Sequence, residues 1–298
     1  MTCIARLAIA VFLLPGSLAA QEPGSRVELR QKTQKQLAAI ADGLDGVMGY
    51  VIVDMASGER FERMGGEAFP LASTIKLAIL YEMFKQADEG RLRIDESRPL
   101  DRRHVVGGSG VLSELDAPAM SLRDYAVLMI VLSDNSATNL LIDAVGMENV
   151  TQRMNDLGMP TLKLRRRMID TDAARRGDEN VGSPQDVAKL LGIIDRGDGL
   201  TKGSRDAVLT ILRKAKSSAL RDGVPPGVAV ANKPGGLEGV AVDAGIVYLS
   251  DRPYIFVATT TYLKSGAAGQ AAIRAASQAA FDYFNRIARS SEYGRIIR

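Results

Sequence analysis

Ala72-Ser73-Thr74-Ile75-Lys76-Leu77-Ala78-Ile79-Leu80-Tyr81 is the stretch on which the fold turns. A serine stands just ahead of a long apolar run, and a lysine follows it on the next turn. The run to Phe84 contains no Gly or Pro and is apolar almost all round, which reads as a buried helix. Positions three apart share a helix face, so the Ser73 hydroxyl and the Lys76 ammonium are expected to be neighbours. At a helix start, unpaired backbone N–H groups point outward and favour negative charge. Burial disfavours a charged lysine and moves it toward the range of a usable base. The chemistry implied is a serine nucleophile beside a group able to take its proton. A plainer reading of the same residues is an N-cap serine followed by a snorkelling lysine. Ser-x-x-Lys alone is a weak signal, so the rest of the chain has to decide.

With 298 residues, 46% hydrophobic and 24% charged, the chain can build a sizeable core in one large domain or two smaller ones. A formal charge of +3 is too small at this length to argue for nucleic acid. Residues 1–20 differ from the rest. Arg6 precedes the apolar run Leu7 to Leu14, Pro15-Gly16 breaks it, and Ser17-Leu18-Ala19-Ala20 offers small residues for cleavage before Gln21. This is the pattern of a secretory signal peptide, and the apolar run is too short to span a bilayer. Its removal takes away Cys3, the chain's one cysteine, and Arg6, which leaves 37 − 35 = +2. An exported protein with a core of this size needs no disulfide staples. One histidine, His104, narrows the chemistry further. A Ser-His-Asp triad would have to use it, and a multi-histidine metal site is excluded. It lies in Asp101-Arg102-Arg103-His104, just before Gly107-Gly108-Ser109-Gly110, which is loop composition and places it on the surface. No metal or other cofactor is expected.

Along the chain, Arg26 to Leu44 reads as an amphipathic helix, Gly49 to Asp54 and Arg60 to Met64 as strands around a turn. From Ser73 to about Lys216 the pattern is helical. Helices are expected over Leu122 to Leu132 behind an N-cap at Ser121, Ala137 to Val145, Met147 to Leu157, Pro184 to Ile194 behind Ser183, and Arg205 to Lys214. Between Gly158 and Gly182 lies a charged stretch of little periodicity, long enough to be a functional loop. Past Pro225-Pro226-Gly227 the signal returns to strand: Val228 to Lys233, Ala241 to Leu249 and Tyr254 to Tyr262, with a closing helix over Gly266 to Arg289. Strands at both ends and helices between them imply an α+β fold. One antiparallel sheet is built from both chain ends and flanked by terminal helices, with a helical subdomain inserted. The expected division is a single domain, 21–298, with one lobe from 21–70 and 217–298 and a helical lobe 71–216. A cleft between such lobes is a natural place for a site.

Two further pieces join Ser73. Ser133-Asp134-Asn135 sits between two expected helices, and Lys233-Pro234-Gly235-Gly236 ends the first C-terminal strand. Alone, the first is a good N-cap cluster and the second a good turn. In this order and layout the three motifs resemble the class A β-lactamase and penicillin-binding protein superfamily, whose set is Ser-x-x-Lys, Ser-Asp-Asn and Lys-Thr-Gly. The resemblance spans roughly Asp45 to Arg289. Tyr283-Phe284-Asn285 matches a sister class's middle motif but falls after the lysine-glycine motif, out of order.

The resemblance implies roles. Ser73 attacks an acyl carbonyl and Lys76 accepts or relays its proton. The backbone N–H groups of Ser73 and Gly236 form an oxyanion hole beside Gly235. Ser133 passes a proton to the departing nitrogen, Asn135 orients Lys76 and the substrate amide, and Lys233 polarises Ser133 and attracts a substrate carboxylate. It also implies hydrolysis of a β-lactam amide by an exported, monomeric enzyme with a small-molecule substrate and no stable membrane span. A D,D-peptidase or esterase on cell-wall-like peptides, or a non-turnover β-lactam-binding sensor, are the alternatives.

This chain departs from the pattern twice. Pro234 stands where the superfamily has Thr or Ser, which removes a hydroxyl and a backbone N–H. The Glu-x-x-Leu-Asn motif whose glutamate activates the deacylating water is absent. With Arg166 taken as the loop-anchoring arginine, Met168 falls at the glutamate's place. Asp170 and Asp172 are the nearest carboxylates. Asp170 is the candidate deacylation base, although pairing with the arginine run Arg165-Arg166-Arg167 is the favoured role for both.

Overall fold

The structure, a computed structural model, describes residues 23–116 and 118–297. The expected leader and Cys3 lie outside the described residues. The chain opens with α1 (Gly24–Asp42), then the hairpin β1 (Val47–Asp54) and β2 (Arg60–Arg63), and a two-residue strand β3 (Phe69–Pro70). The middle of the chain holds α2 (Lys76–Asp88), β4 (Ser97–Pro99), β5 (Ala119–Ser121), α3 (Leu122–Val131), α4 (Asn135–Val145), α5 (Met147–Asp156), α6 (Thr171–Arg175), β6 (Val181–Gly182), α7 (Pro184–Arg196) and α8 (Lys202–Arg213). After α9 (Ala219–Asp222) come β7 (Ala229–Leu237), β8 (Val240–Tyr248), β9 (Tyr254–Thr261) and the closing helix α10 (Gly266–Ala288).

Five strands form one sheet in the order β2-β1-β9-β8-β7, antiparallel throughout. The first and last parts of the chain meet at its centre, where Val51 of β1 faces Val257 of β9. Both faces are covered, and β9 shows how. Ile255 and Val257 enter the core shared with the helical insert, whereas Tyr254, Phe256 and Ala258 enter the core beneath α1 and α10. That is the two-residue alternation of a pleated strand, with apolar residues in both registers because water reaches neither face. On the α10 side, small residues let helix and sheet approach closely, and Phe284 stacks on Tyr254 at 4.7 Å between ring centres. Tyr283 packs edge-on against Phe61 at 5.0 Å and donates its hydroxyl to Glu59. The out-of-order Tyr-x-Asn match is therefore core packing.

The helix boundaries follow from local chemistry. Ser121 accepts from the Asp124 N–H, Asp134 from Ala137 and Ser183 from Asp186, each capping the helix that follows. These bonds satisfy backbone donors that have no partner within the helix. Among the described residues the strands of the insert are short: β4 pairs with β5, and β6 pairs with β3 just ahead of the insert. Strands of two or three residues are too short to show a period, so they were invisible in the sequence. The stretch expected as a loop between Gly158 and Gly182 contains α6 and β6. It is closed at its base, where Asn180 accepts from the N–H groups of Arg165 and Arg166 and its carbonyl accepts from Leu71.

One boundary needs correction. Lys233-Pro234-Gly235-Gly236 does not end its strand: β7 runs on to Leu237, with Pro234 opposite Asp243. Proline is tolerated because β7 is an edge strand, paired only to β8, where a missing N–H on the open side removes no ladder bond.

Candidate active site

Ser73 lies in a 3₁₀ turn, Ala72–Ile75, that leads into α2 at Lys76. Ala72, just before it, has φ 46°, a left-handed conformation that costs a residue with a Cβ about 1–3 kcal/mol. Ser133 (φ 55°) and Ile169 (φ 60°) share that strain, and Ala72 and Ile169 line one cavity. Gly235 of β7 passes so close to this turn that an added Cβ would sit 2.9 Å from the backbone nitrogens of Ser73 and Thr74. Only glycine fits there. The Thr74 hydroxyl donates to the Lys233 carbonyl at 3.2 Å, fastening β7 to the serine turn.

Lys76 is fully buried and Lys233 is 1% exposed. Lys76 Nζ donates to the Ser133 carbonyl at 2.7 Å, the Ser133 hydroxyl at 3.1 Å and Asn135 Oδ1 at 3.2 Å. Lys233 Nζ reaches the same hydroxyl at 3.1 Å and the Pro234 carbonyl at 2.7 Å. The Ser133 hydroxyl thus stands between two buried amines. Burial drives Lys76 well below the ordinary lysine range, and the nearby Lys233 adds to this. Burial takes Lys233 down to about 7, with Asp243 partly opposing it. Two adjacent buried ammonium groups are costly, so at neutral pH the pair is poised to carry fewer than two charges. The Ser73 hydroxyl is not among Lys76's hydrogen-bond partners; Nζ lies within hydrogen-bond distance of Ser133 and Asn135 instead.

The cavity has a volume of about 570 Å³, and Ala72, Ser73, Asn135, Met168, Asp170 and Gly236 contribute to its wall. Arg166 is nine-tenths buried and pairs with Glu179 at 3.0 Å, closing the loop on itself. Glu179 had carried no role in the sequence reading. Met168 is 8% exposed, and both its backbone groups are held by Asn139, which accepts from its N–H at 2.8 Å and donates to its carbonyl at 3.2 Å. Asn139 was missed as well, although it stands four residues after Asn135 on one helix face, a legible spacing.

Two expectations are overturned. Asp170 does not pair with the arginine run: its Oδ1 accepts from the Ala173 N–H at 2.9 Å and caps α6. Asp172 does not pair with that run either: its partner is Arg175, one turn on in α6. His104 is not a surface histidine. It is 5% exposed, with Nε2 2.8 Å from Asp143 Oδ2. Loop composition described the backbone around it correctly, but the partner that pulls the ring inward lies on α4, distant in sequence.

The profile of the Beta-lactamase enzyme family matches residues 32–284. The imipenem-hydrolyzing β-lactamase of Enterobacter cloacae is 28% identical over 224 residues, covering 73% of this chain and 77% of that protein. A β-lactamase from Sphaerobacter thermophilus is 30% identical with a TM-score of 0.77, covering 86% of this chain and 97% of the other. PBP-A is 28% identical with a TM-score of 0.79, covering 85% and 96%, and its leucine-to-glutamate variant has been solved as an acyl-enzyme complex with penicillin G.

Proposed function

The chain belongs to the Beta-lactamase enzyme family, and from that premise we propose that it opens β-lactam rings through an acyl-enzyme on Ser73. It is a class A β-lactamase-like serine hydrolase. The observation that carries the proposal is the Ser133 hydroxyl held 3.1 Å from both Lys76 Nζ and Lys233 Nζ.

In this reading Ser73 Oγ attacks the lactam carbonyl and its proton passes to neutral Lys76, which burial keeps available as a base. The N–H groups of Ser73 and Gly236 receive the oxyanion; one such donor is worth about 3–4 kcal/mol of transition-state stabilisation in comparable sites. The C–N bond breaks as Ser133 donates its proton to the nitrogen, and the lysines replace that proton. Asn135 holds Lys76 and the substrate amide. Lys233 also attracts a substrate carboxylate, with no hydroxyl at Pro234 to share the task. Export with removal of residues 1–20, a single catalytic domain over 21–298 and a monomeric state complete the proposal. No helix among the described residues is long and apolar enough to cross a membrane.

One observation supports a second reading. Met168, which has no ionisable group, faces the cavity where a deacylating base would be needed, and the chain resembles PBP-A, solved in acylated form as a variant. A D,D-peptidase or esterase of penicillin-binding type, or a β-lactam sensor, would keep the acylation chemistry and release slowly. A chromogenic cephalosporin assay with intact-mass analysis of the same sample tests both. Ring opening with a mass increase that Ser73→Ala abolishes supports the acyl-enzyme. Labelling that persists on another serine overturns it. Sustained turnover favours the hydrolase, and a stable adduct favours the second reading.

A further inference from the structure

α4 carries Asn135, Asn139 and Asp143 at four-residue spacing, one stripe on one face. Each fastens a different piece of chain. Asn135 donates to the Gly107 carbonyl at 3.1 Å, and Asn139 holds both backbone groups of Met168. Asp143 binds on both sides: Oδ2 lies 2.8 Å from His104 Nε2, and Oδ1 accepts from Arg167 Nε at 3.1 Å and from its Nη2. Among the described residues, Asp143 alone joins side chains of both loops.

Those loops form two walls of the cavity, and the end of β7 forms another. Gly108 and Ser109 lie on one, and Met168, Ile169 and Asp170 on the other. The walls meet across the mouth, where a Cβ added to Gly108 would sit 3.3 Å from Ile169 Cδ1. Gly108 (φ +87°) and Ile169 (φ +60°) are both in the left-handed region, so each loop turns sharply at the point of meeting. Burial pushes the Asp143 carboxyl up, but the hydrogen bonds from Arg167 and His104 outweigh it and hold the group below its ordinary value. A carboxylate thus remains charged between a guanidinium and a buried ring, and charge-assisted bonds of this kind are roughly twice as strong as neutral ones.

We propose that Asp143 is a positioning residue that couples the two walls, fixing how far Gly108 and Ile169 separate and therefore how bulky an acyl side chain the cavity admits. The inference rests on the reading that substrate acylates Ser73 within this cavity. Loosening the tie at Asp143 removes the side-chain link that the two loops share, while each loop keeps its own backbone attachment to α4 through Asn135 or Asn139. The effect is on access, so it falls on bulky substrates and leaves the bond-making groups in place.

The test compares benzylpenicillin with an oxyimino cephalosporin, using the full mature chain as wild type, Asp143→Ala, Asp143→Asn and Arg167→Gln. Acylation rate constants are measured beside hydrogen exchange of residues 105–110 and 165–170. The ratio of acylation rate constants should move about tenfold toward the bulky substrate in Asp143→Ala. Arg167→Gln, which changes an exposed side chain and keeps the fold should Asp143→Ala lose it, should raise exchange in 105–110 as well as in 165–170. Exchange confined to 165–170, or a substrate ratio unchanged in the folded variants, overturns the coupling. Wild type that benzylpenicillin does not acylate overturns the functional reading instead, and the exchange measurement still decides whether the loops are coupled.

Discussion

Replacing Met168 with glutamate asks whether this site lacks a deacylating base. Hydrolysis of an acyl-enzyme needs a base within hydrogen-bond reach of a water, and a positioned base contributes about 10²–10⁴-fold. The Met168 side chain borders the cavity at 8% exposure, and its loop is held through backbone bonds to Asn139. The substitution therefore keeps the attachment that places the side chain. A carboxyl at this depth loses hydration, which raises its pKa toward the working pH and suits a general base. The cost is a buried polar group in place of a thioether, about 1–3 kcal/mol of stability. The assay is pre-steady-state hydrolysis of a chromogenic cephalosporin. Wild type should show a burst of one product per enzyme and then a slow steady rate. Met168→Glu should raise the steady rate by about 10²-fold or more with the burst amplitude unchanged. Asp170→Asn is the control. Rapid wild-type turnover that this change halts after one burst identifies Asp170 as the base and refutes the placement of Met168. Rapid turnover indifferent to changes at Asp170 and Asp172 puts the base elsewhere, with Lys76 first in line.

Lys76→Ala should slow acylation by about 10²–10⁴-fold through loss of the proton acceptor, read by the rate of mass increase with a penicillin. Lys233→Ala should mainly weaken substrates that bear a carboxylate, and an equal loss on an uncharged ester would show that anion binding is not its role. Stability should respond to pH through the lysines that burial holds at about 7, Lys233 and Lys216, against about 10.4 when unfolded. Between those values the unfolded chain binds more protons, so stability rises with pH. The urea midpoint should therefore climb from pH 7 toward pH 9, and Lys216→Met should flatten the climb; a midpoint that falls over this range would contradict the burial argument. Exported material should begin near Gln21 and carry no titratable thiol, and detection of Cys3 would show that the leader is retained.

The sequence by itself determined the long elements and their order. Strands rich in β-branched and aromatic residues at both ends, capped helices between them and the three motifs in series define the layout, because period and cap chemistry are local properties. Ser73, Lys76, Ser133, Asn135 and Lys233 were legible for the same reason: each motif carries its own residue types at its own spacing. Tertiary structure decided what depends on partners distant in the chain. The two-residue pairing of Phe69 with Gly182 has no local signature. Pro234 lies within a strand because β7 is an edge, which is a property of sheet order. Asp170 caps a helix five residues long, too short for any period to announce. His104 is buried because Asp143, on another element, meets its ring and offsets the desolvation of a polar group. Loop composition reports what a backbone segment can do alone. It is silent on a hydrogen bond supplied from elsewhere, and such bonds bury His104 and hold the Asp143 carboxyl below its ordinary value.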